Sequence, residues 1–139
     1  EAGAKRVMPL SVAGPFHSSL MKPAATQFAA VLDKVSLTLP TYPVYSNVSA
    51  KPHEMDIQQV KASLVEQMVH AVRFTEMIQN MIADGATTFV EVGPGKVLAG
   101  LIKKIDKNVA VYSTGTMGEF EDFIQVGSKN KEENHAITK

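Results

Sequence analysis

The sequence contains no cysteine. That absence removes disulfides, thiol nucleophiles and thiolate metal sites, and it fits a reducing compartment, so the cytoplasm is the expected location. An excess of charge of one sign is missing too, because fourteen Lys and Arg stand against fourteen Asp and Glu. A phosphate-backbone binder carries a basic surplus, so nucleic acid is not an expected partner. The first residues, EAGAKRVMPLSV, hold no apolar run of signal-peptide length, and no stretch approaches the roughly 18 apolar residues of a membrane span. A soluble protein without a membrane partner is expected. His17, His53, His70 and His135 show no HxxxH or HExxH spacing, so no metal site is expected. Nor is there a G-x-S-x-G pentapeptide, the strained elbow that exposes a nucleophilic serine.

What is present is 139 residues with 45% hydrophobic side chains, enough for one domain with a sizeable core. Lys5 to Val12, closed by Gly14-Pro15, predicts a strand that delivers His17. Leu20, Ala24, Phe28, Val31 and Val35 recur at helical spacing, with Ser18 or Ser19 as the cap and Pro23 tolerable only near the first turn. After the breaks at Pro40 and Pro43, Val44 to Val48 reads as a short strand. Ile57, Val60, Leu64, Met68 and Ala71 form a second helical set from Asp56, and Phe74, Met77, Ile78, Met81 and Ile82 a third, with Gly85 as C-cap.

Thr87 to Val92 is the clearest strand, and it runs through Gly93-Pro94-Gly95 into a helix bearing Val97, Leu98, Leu101, Ile102 and Ile105. A last strand, Val109 to Ser113, precedes a short helix around Phe120, Phe123 and Ile124, and the polar segment from Gly127 to Lys139 is expected to be disordered. The alternation predicts an α/β fold with a mostly parallel sheet. A sheet that starts at Lys5 with no preceding strand and helix reads as a piece of something larger.

His17 stands at a strand-to-helix junction, where side chains face the crevice of open α/β sheets, although an imidazole there more often has a structural role. Gly93-Pro94-Gly95-Lys96 is either a phosphate cradle, with helix amides and a lysine facing an anion, or a tight structural turn. The specific phosphate motifs fail: Val90 stands where a Walker A loop needs glycine, and the third dinucleotide glycine is missing. Asn47 and Gln67 are amides beside apolar segments, suited to satisfying buried backbone groups. Met68, Met77 and Met81 fit as core filler.

Four segments, GAKRVMPLSVAGPFHSSLMKPAA, YPVYSNVSAKP, LVEQMVHAVRFTEMI and FVEVGPGKVLAGLIKK, together resemble, in order, the second half of bacterial malonyl-CoA:acyl carrier protein transacylases. The most specific elements are GPFHSSLMKPAA and VEVGPGKVL. By this resemblance His17 is the general base, and Gln67 supplies the backbone carbonyl that orients it. Val97 lines the acyl and pantetheine channel, with Lys96 a weaker substrate-binding candidate beside it, and Asn47 is structural support. Phe16 borders the malonyl pocket, since related polyketide acyltransferases with phenylalanine here take malonyl and those with serine tend to take its methyl-branched analogue.

The resemblance implies the C-terminal part of an α/β hydrolase-like acyltransferase fold, beginning at the end of an inserted ferredoxin-like subdomain. Residues 1–17 would close the small subdomain, 18–126 would belong to the large one, and 127–139 would be a tail. The implied activity moves malonyl from coenzyme A to the phosphopantetheine thiol of acyl carrier protein through a serine ester, in fatty-acid synthesis, with malonyl-CoA as substrate and no cofactor. The family's serine elbow, malonyl-binding arginine and oxyanion amides lie upstream of the matched segments. The chain is therefore expected to be inactive alone, and to meet either a separate N-terminal half or further copies of itself besides the carrier protein.

Overall fold

The computed structural model describes Gly3, Val7 and residues 13–136, with side chains described as far as Gly127. The strand expected from Lys5 to Val12 lies, apart from Val7, outside the described residues. The chain mixes helices and strands and divides into two compact units, Glu1–Arg73 and Phe74–Lys139.

In the first unit a single 3₁₀ turn, Ser19–Met21, leads into helix α1, Lys22–Leu32. Pro23 sits in the first turn of α1, where its missing N–H has no helical acceptor to lose. Neither expected serine cap forms through a side chain here: the Ser18 hydroxyl donates instead to the Pro15 carbonyl at 2.7 Å. Helix α2, Ile57–Glu66, opens on Asp56, whose carboxylate accepts the amides of Gln58 at 2.7 Å and Gln59 at 3.0 Å. The two helices pack together, and Lys61 is buried with its ammonium donating to the Asp33 carbonyl just past the end of α1. That places a cation at the negative end of the helix dipole.

Three further expectations fail in this unit, the first because Val35 lies beyond α1, which ends at Leu32. Met68 and Ala71 lie beyond α2, which stops at Glu66. Val44 to Val48 is not a strand either, for only Tyr45 makes an isolated antiparallel bridge, to Pro52. The Ser46 hydroxyl accepts the amides of Val48 and Ser49, and the Ala50 amide donates to the Ser46 carbonyl. These local bonds outcompete a ladder and turn the chain back at Asn47.

The second unit opens with α3, Phe74–Ala83. It ends as expected at Gly85, whose φ of +102° allows the Ala86 amide to reach the Met81 carbonyl and the Gly85 amide the Ile82 carbonyl. Strand β1, Thr88–Glu91, helix α4, Val97–Ile105, and strand β2, Ala110–Ser113, form a parallel βαβ unit with Thr88 opposite Ala110 and Glu91 opposite Ser113. Helix α5, Met117–Ala136, packs on β2, with the Tyr112 and Phe123 rings 5.4 Å apart. It continues past Gly127 into the segment expected to be disordered, and no proline after Met117 interrupts it.

The buried apolar residues are Ala25, Leu32 and Ala50 in the first unit and Ile78, Ala99 and Ile102 in the second. No helix among the described residues is long and apolar enough to cross a membrane.

Candidate functional site

His17 sits in the loop before the 3₁₀ turn with a φ of +58°, in the left-handed region that side-chain-bearing residues rarely occupy. Such a backbone costs about 1–3 kcal/mol and persists where its surroundings hold it. One such hold is visible: the imidazole Nδ1 lies 2.8 Å from the Gln67 carbonyl oxygen. A carbonyl can only accept, so Nδ1 donates, and in the neutral ring Nε2 keeps its lone pair. The side chain is exposed, as is its neighbour Phe16. The Phe16 ring folds over Gly14, where a β-carbon would stand 3.3 Å from it.

Gln67 is the C-cap residue of α2, its amide donating to the Ser63 carbonyl at 3.1 Å. Its side-chain Oε1 accepts from Asn47 Nδ2 at 3.3 Å. The Asn47 carbonyl in turn accepts the Arg73 amide at 3.0 Å, and the Arg73 guanidinium donates to the carbonyls of Val48 and Ser49. Beneath this turn, the buried Ser46 hydroxyl pairs with that of Ser63 on α2 at 2.9 Å.

The second unit holds Lys96 and Val97, side by side at the start of α4. Gly93 and Gly95 carry φ values of +121° and +100°, which make the turn from β1 tight. The α4 amides of Leu98 and Ala99 donate to the two carboxylate oxygens of Glu91, at 3.1 Å and 2.8 Å. The chain's own carboxylate thus occupies the position an external anion would take, which favours the structural turn over the phosphate cradle. The Lys96 ammonium pairs with Glu119. That hydrogen bond, followed by the charge of the carboxylate, raises the lysine above its ordinary pKa, and the same bond to Lys96 leads in lowering Glu119. Glu119 also closes a reciprocal cap on α5, accepting the Thr116 amide while its own amide donates to the Thr116 hydroxyl. Val97 is exposed. Among the described residues no group of three or more His, Asp or Glu is placed to hold a metal.

No family model matches the chain. The malonyl CoA-acyl carrier protein transacylase of Bacillus subtilis (strain 168) is 46% identical over 134 residues, which are 96% of this chain and 41% of its own length. The transacylase structure from Clostridium perfringens superposes with a TM-score of 0.83 at 34% identity, over 95% of this chain and 40% of that one. The chain is similar to part of this transacylase family's members. A malonyl-transacylase solved in complex with a type II PKS acyl-carrier protein matches with a TM-score of 0.78 at 37% identity, over 85% of this chain and 38% of that one. The chain spans about two fifths of the length of the curated relatives it matches.

Within this chain the structure brings together His17, Gln67 and Asn47, three residues singled out in the sequence, and sets Lys96 beside Val97 in the other unit. Glu91, Arg73, Ser46 and Ser63 were not anticipated. The Thr116-x-x-Glu119 spacing is a readable capping signature. The links of Arg73 to Val48 and of Ser46 to Ser63 cross 25 and 17 residues and leave no periodic trace.

Proposed function

We propose that this chain is the C-terminal segment of a cytoplasmic malonyl-CoA:acyl carrier protein transacylase and that His17 is its general base. The observation that carries the reading is the Nδ1–H of His17 donating to a backbone carbonyl at 2.8 Å, from a left-handed loop conformation, with Nε2 left as the basic nitrogen. In the reaction, Nε2 takes the proton of a serine hydroxyl as that oxygen attacks the malonyl thioester. The imidazolium then returns a proton to the departing coenzyme A thiolate. The carrier's phosphopantetheine thiol resolves the malonyl ester by the same steps in reverse. A neutral carbonyl fixes the tautomer here, the orienting task that an aspartate performs in Ser-His-Asp sites.

The finer fold belongs to the same proposal: an α/β hydrolase-like large subdomain, of which residues 18–126 are the C-terminal part, with an inserted ferredoxin-like subdomain ending near His17. The nucleophile comes from the rest of the protein, because these 139 residues contain no G-x-S-x-G elbow. Phe16 and Val97 are proposed to line the acyl and pantetheine path, and both are exposed in this chain. Lys96 is the weaker substrate contact, because its ammonium must leave Glu119 to meet an anion.

The test is complementation. The 139-residue chain alone should give no malonyl-enzyme ester and no transfer, whereas mixing it with the remainder of the Bacillus subtilis transacylase should restore transfer to carrier protein. In that mixture His17→Ala should lower acylation by about 10²–10⁴-fold, the scale of a lost general base. Gln67→Ala should be milder, because the carbonyl survives side-chain truncation. Transfer by the 139 residues alone, or full activity of His17→Ala in the mixture, would overturn the reading.

A further inference from the structure

We propose that Asn47 is a positioning residue for His17, acting through the side chain of Gln67. The inference rests on the reading of His17 as general base. The carbonyl that accepts the His17 Nδ1–H belongs to the residue at which α2 ends. Beyond it the chain runs through two turn bonds, from the Met68 amide to the Val65 carbonyl and from the Val69 amide to the Glu66 carbonyl, and then leaves the helix for Arg73. A carbonyl at a helix end lacks the ladder that fixes one inside it, so its direction depends on what grips the departing segment.

Asn47 grips that segment at both ends. Its side chain donates to Gln67 Oε1 at the start, and its backbone carbonyl accepts the Arg73 amide at the finish. The Asn47 turn is itself fastened to α2, through Ser46 to Ser63, and closes on the buried Ala50. The brace therefore runs from the body of α2 across the turn and back to its last residue. It holds the acceptor on which the tautomer of His17 depends.

Asn47→Ala removes only the side-chain half of this grip, since the bond to Arg73 is made by the backbone. Gln67→Ala removes the same bond from its other end. In the complemented transacylase each should lower kcat for malonyl transfer by about 3–30-fold with KM for malonyl-CoA unchanged, and the double variant should be no worse than the poorer single one. Asn47→Asp should keep most of the activity, because the Gln67 amide can rotate to donate its NH₂ to the new carboxylate. A ¹⁵N-histidine spectrum of the 139-residue chain, assigned with His17→Ala, should show the His17 ring in the Nδ1–H form. In Asn47→Ala and in Gln67→Ala it should show a mixture of tautomers.

Losses that multiply in the double variant, a change in KM alone, or an unaltered tautomer would overturn the proposal. Should Asn47→Ala fail to fold, Gln67→Ala carries the same measurements. If His17→Ala retains full transfer while the tautomer still shifts in Asn47→Ala, the general-base reading falls and the brace stands.

Discussion

Phe16 precedes His17 in the chain, is 59% exposed, and folds its ring over Gly14. In the proposed role its ring borders the carbon between the two malonyl carbonyls and leaves no room for a methyl branch, and overpacking of that kind costs about 1–3 kcal/mol. In the complemented enzyme, Phe16→Ser should therefore raise methylmalonyl relative to malonyl in kcat/KM competition, within the roughly 10–200-fold that one methyl can command. An unchanged ratio in a stable variant would leave Phe16 to loop packing. At this scale the sequence was legible only through family likeness. His17 and Gln67 stand 50 residues apart, and neither periodicity nor spacing pairs a ring nitrogen with a distant carbonyl. The left-handed backbone of His17 was equally hidden, because no glycine or asparagine announced it.

At the scale of elements, local chemistry was readable wherever one residue type decides the outcome. Gly85 marked the end of α3, and the glycines at 93 and 95 marked the turn from β1 to α4. Gly85→Ala should destabilise the chain by about 1–2 kcal/mol in denaturant unfolding, through the left-handed backbone rather than any clash, because a β-carbon there meets nothing within 4 Å. Val44 to Val48 misled for the opposite reason. Its β-prone composition lost to the Ser46 hydroxyl, which accepts amides two and three residues on, and to Asn47, whose side-chain partner stands 20 residues away.

The link from α4 to α5 brings a pH dependence of its own. Glu119 is lowered by Lys96, so its contribution is present above the ordinary carboxylate value of 4.5 and fades as pH falls through the lowered one. Lys96 is raised, so its contribution is full below 10.5 and fades as pH rises through the raised value. The pair should therefore act throughout the neutral range and weaken with salt, being at the surface. Glu119→Gln should flatten both edges of the stability-pH curve. It removes the hydrogen bond and the negative charge that raise Lys96, and an unchanged curve would show that the pair contributes nothing.

The described residues bury little for this composition. Of the six buried apolar residues three are alanines, and no large side chain is fully buried among the described residues. The described sheet has two parallel strands, whereas parallel sheets ordinarily have neighbours and cover on both faces. Val92, Met117 and Phe120 are 84%, 73% and 48% exposed around a trough of about 480 Å³ that also takes in Val90 and Phe123. Apolar surface of this kind and open strand edges seek partners. The isolated chain should accordingly scatter light with an apparent mass that grows with concentration above 15.0 kDa. Val92→Lys and Met117→Lys should each reduce that growth, because a charge on the trough must be desolvated in any contact that covers it. Adding the remainder of the Bacillus subtilis transacylase should replace the larger species with a one-to-one complex, since both would compete for the same apolar faces. A chain that stays monomeric at every concentration, and is unmoved by the lysine substitutions, would mean that these faces are covered within the chain itself.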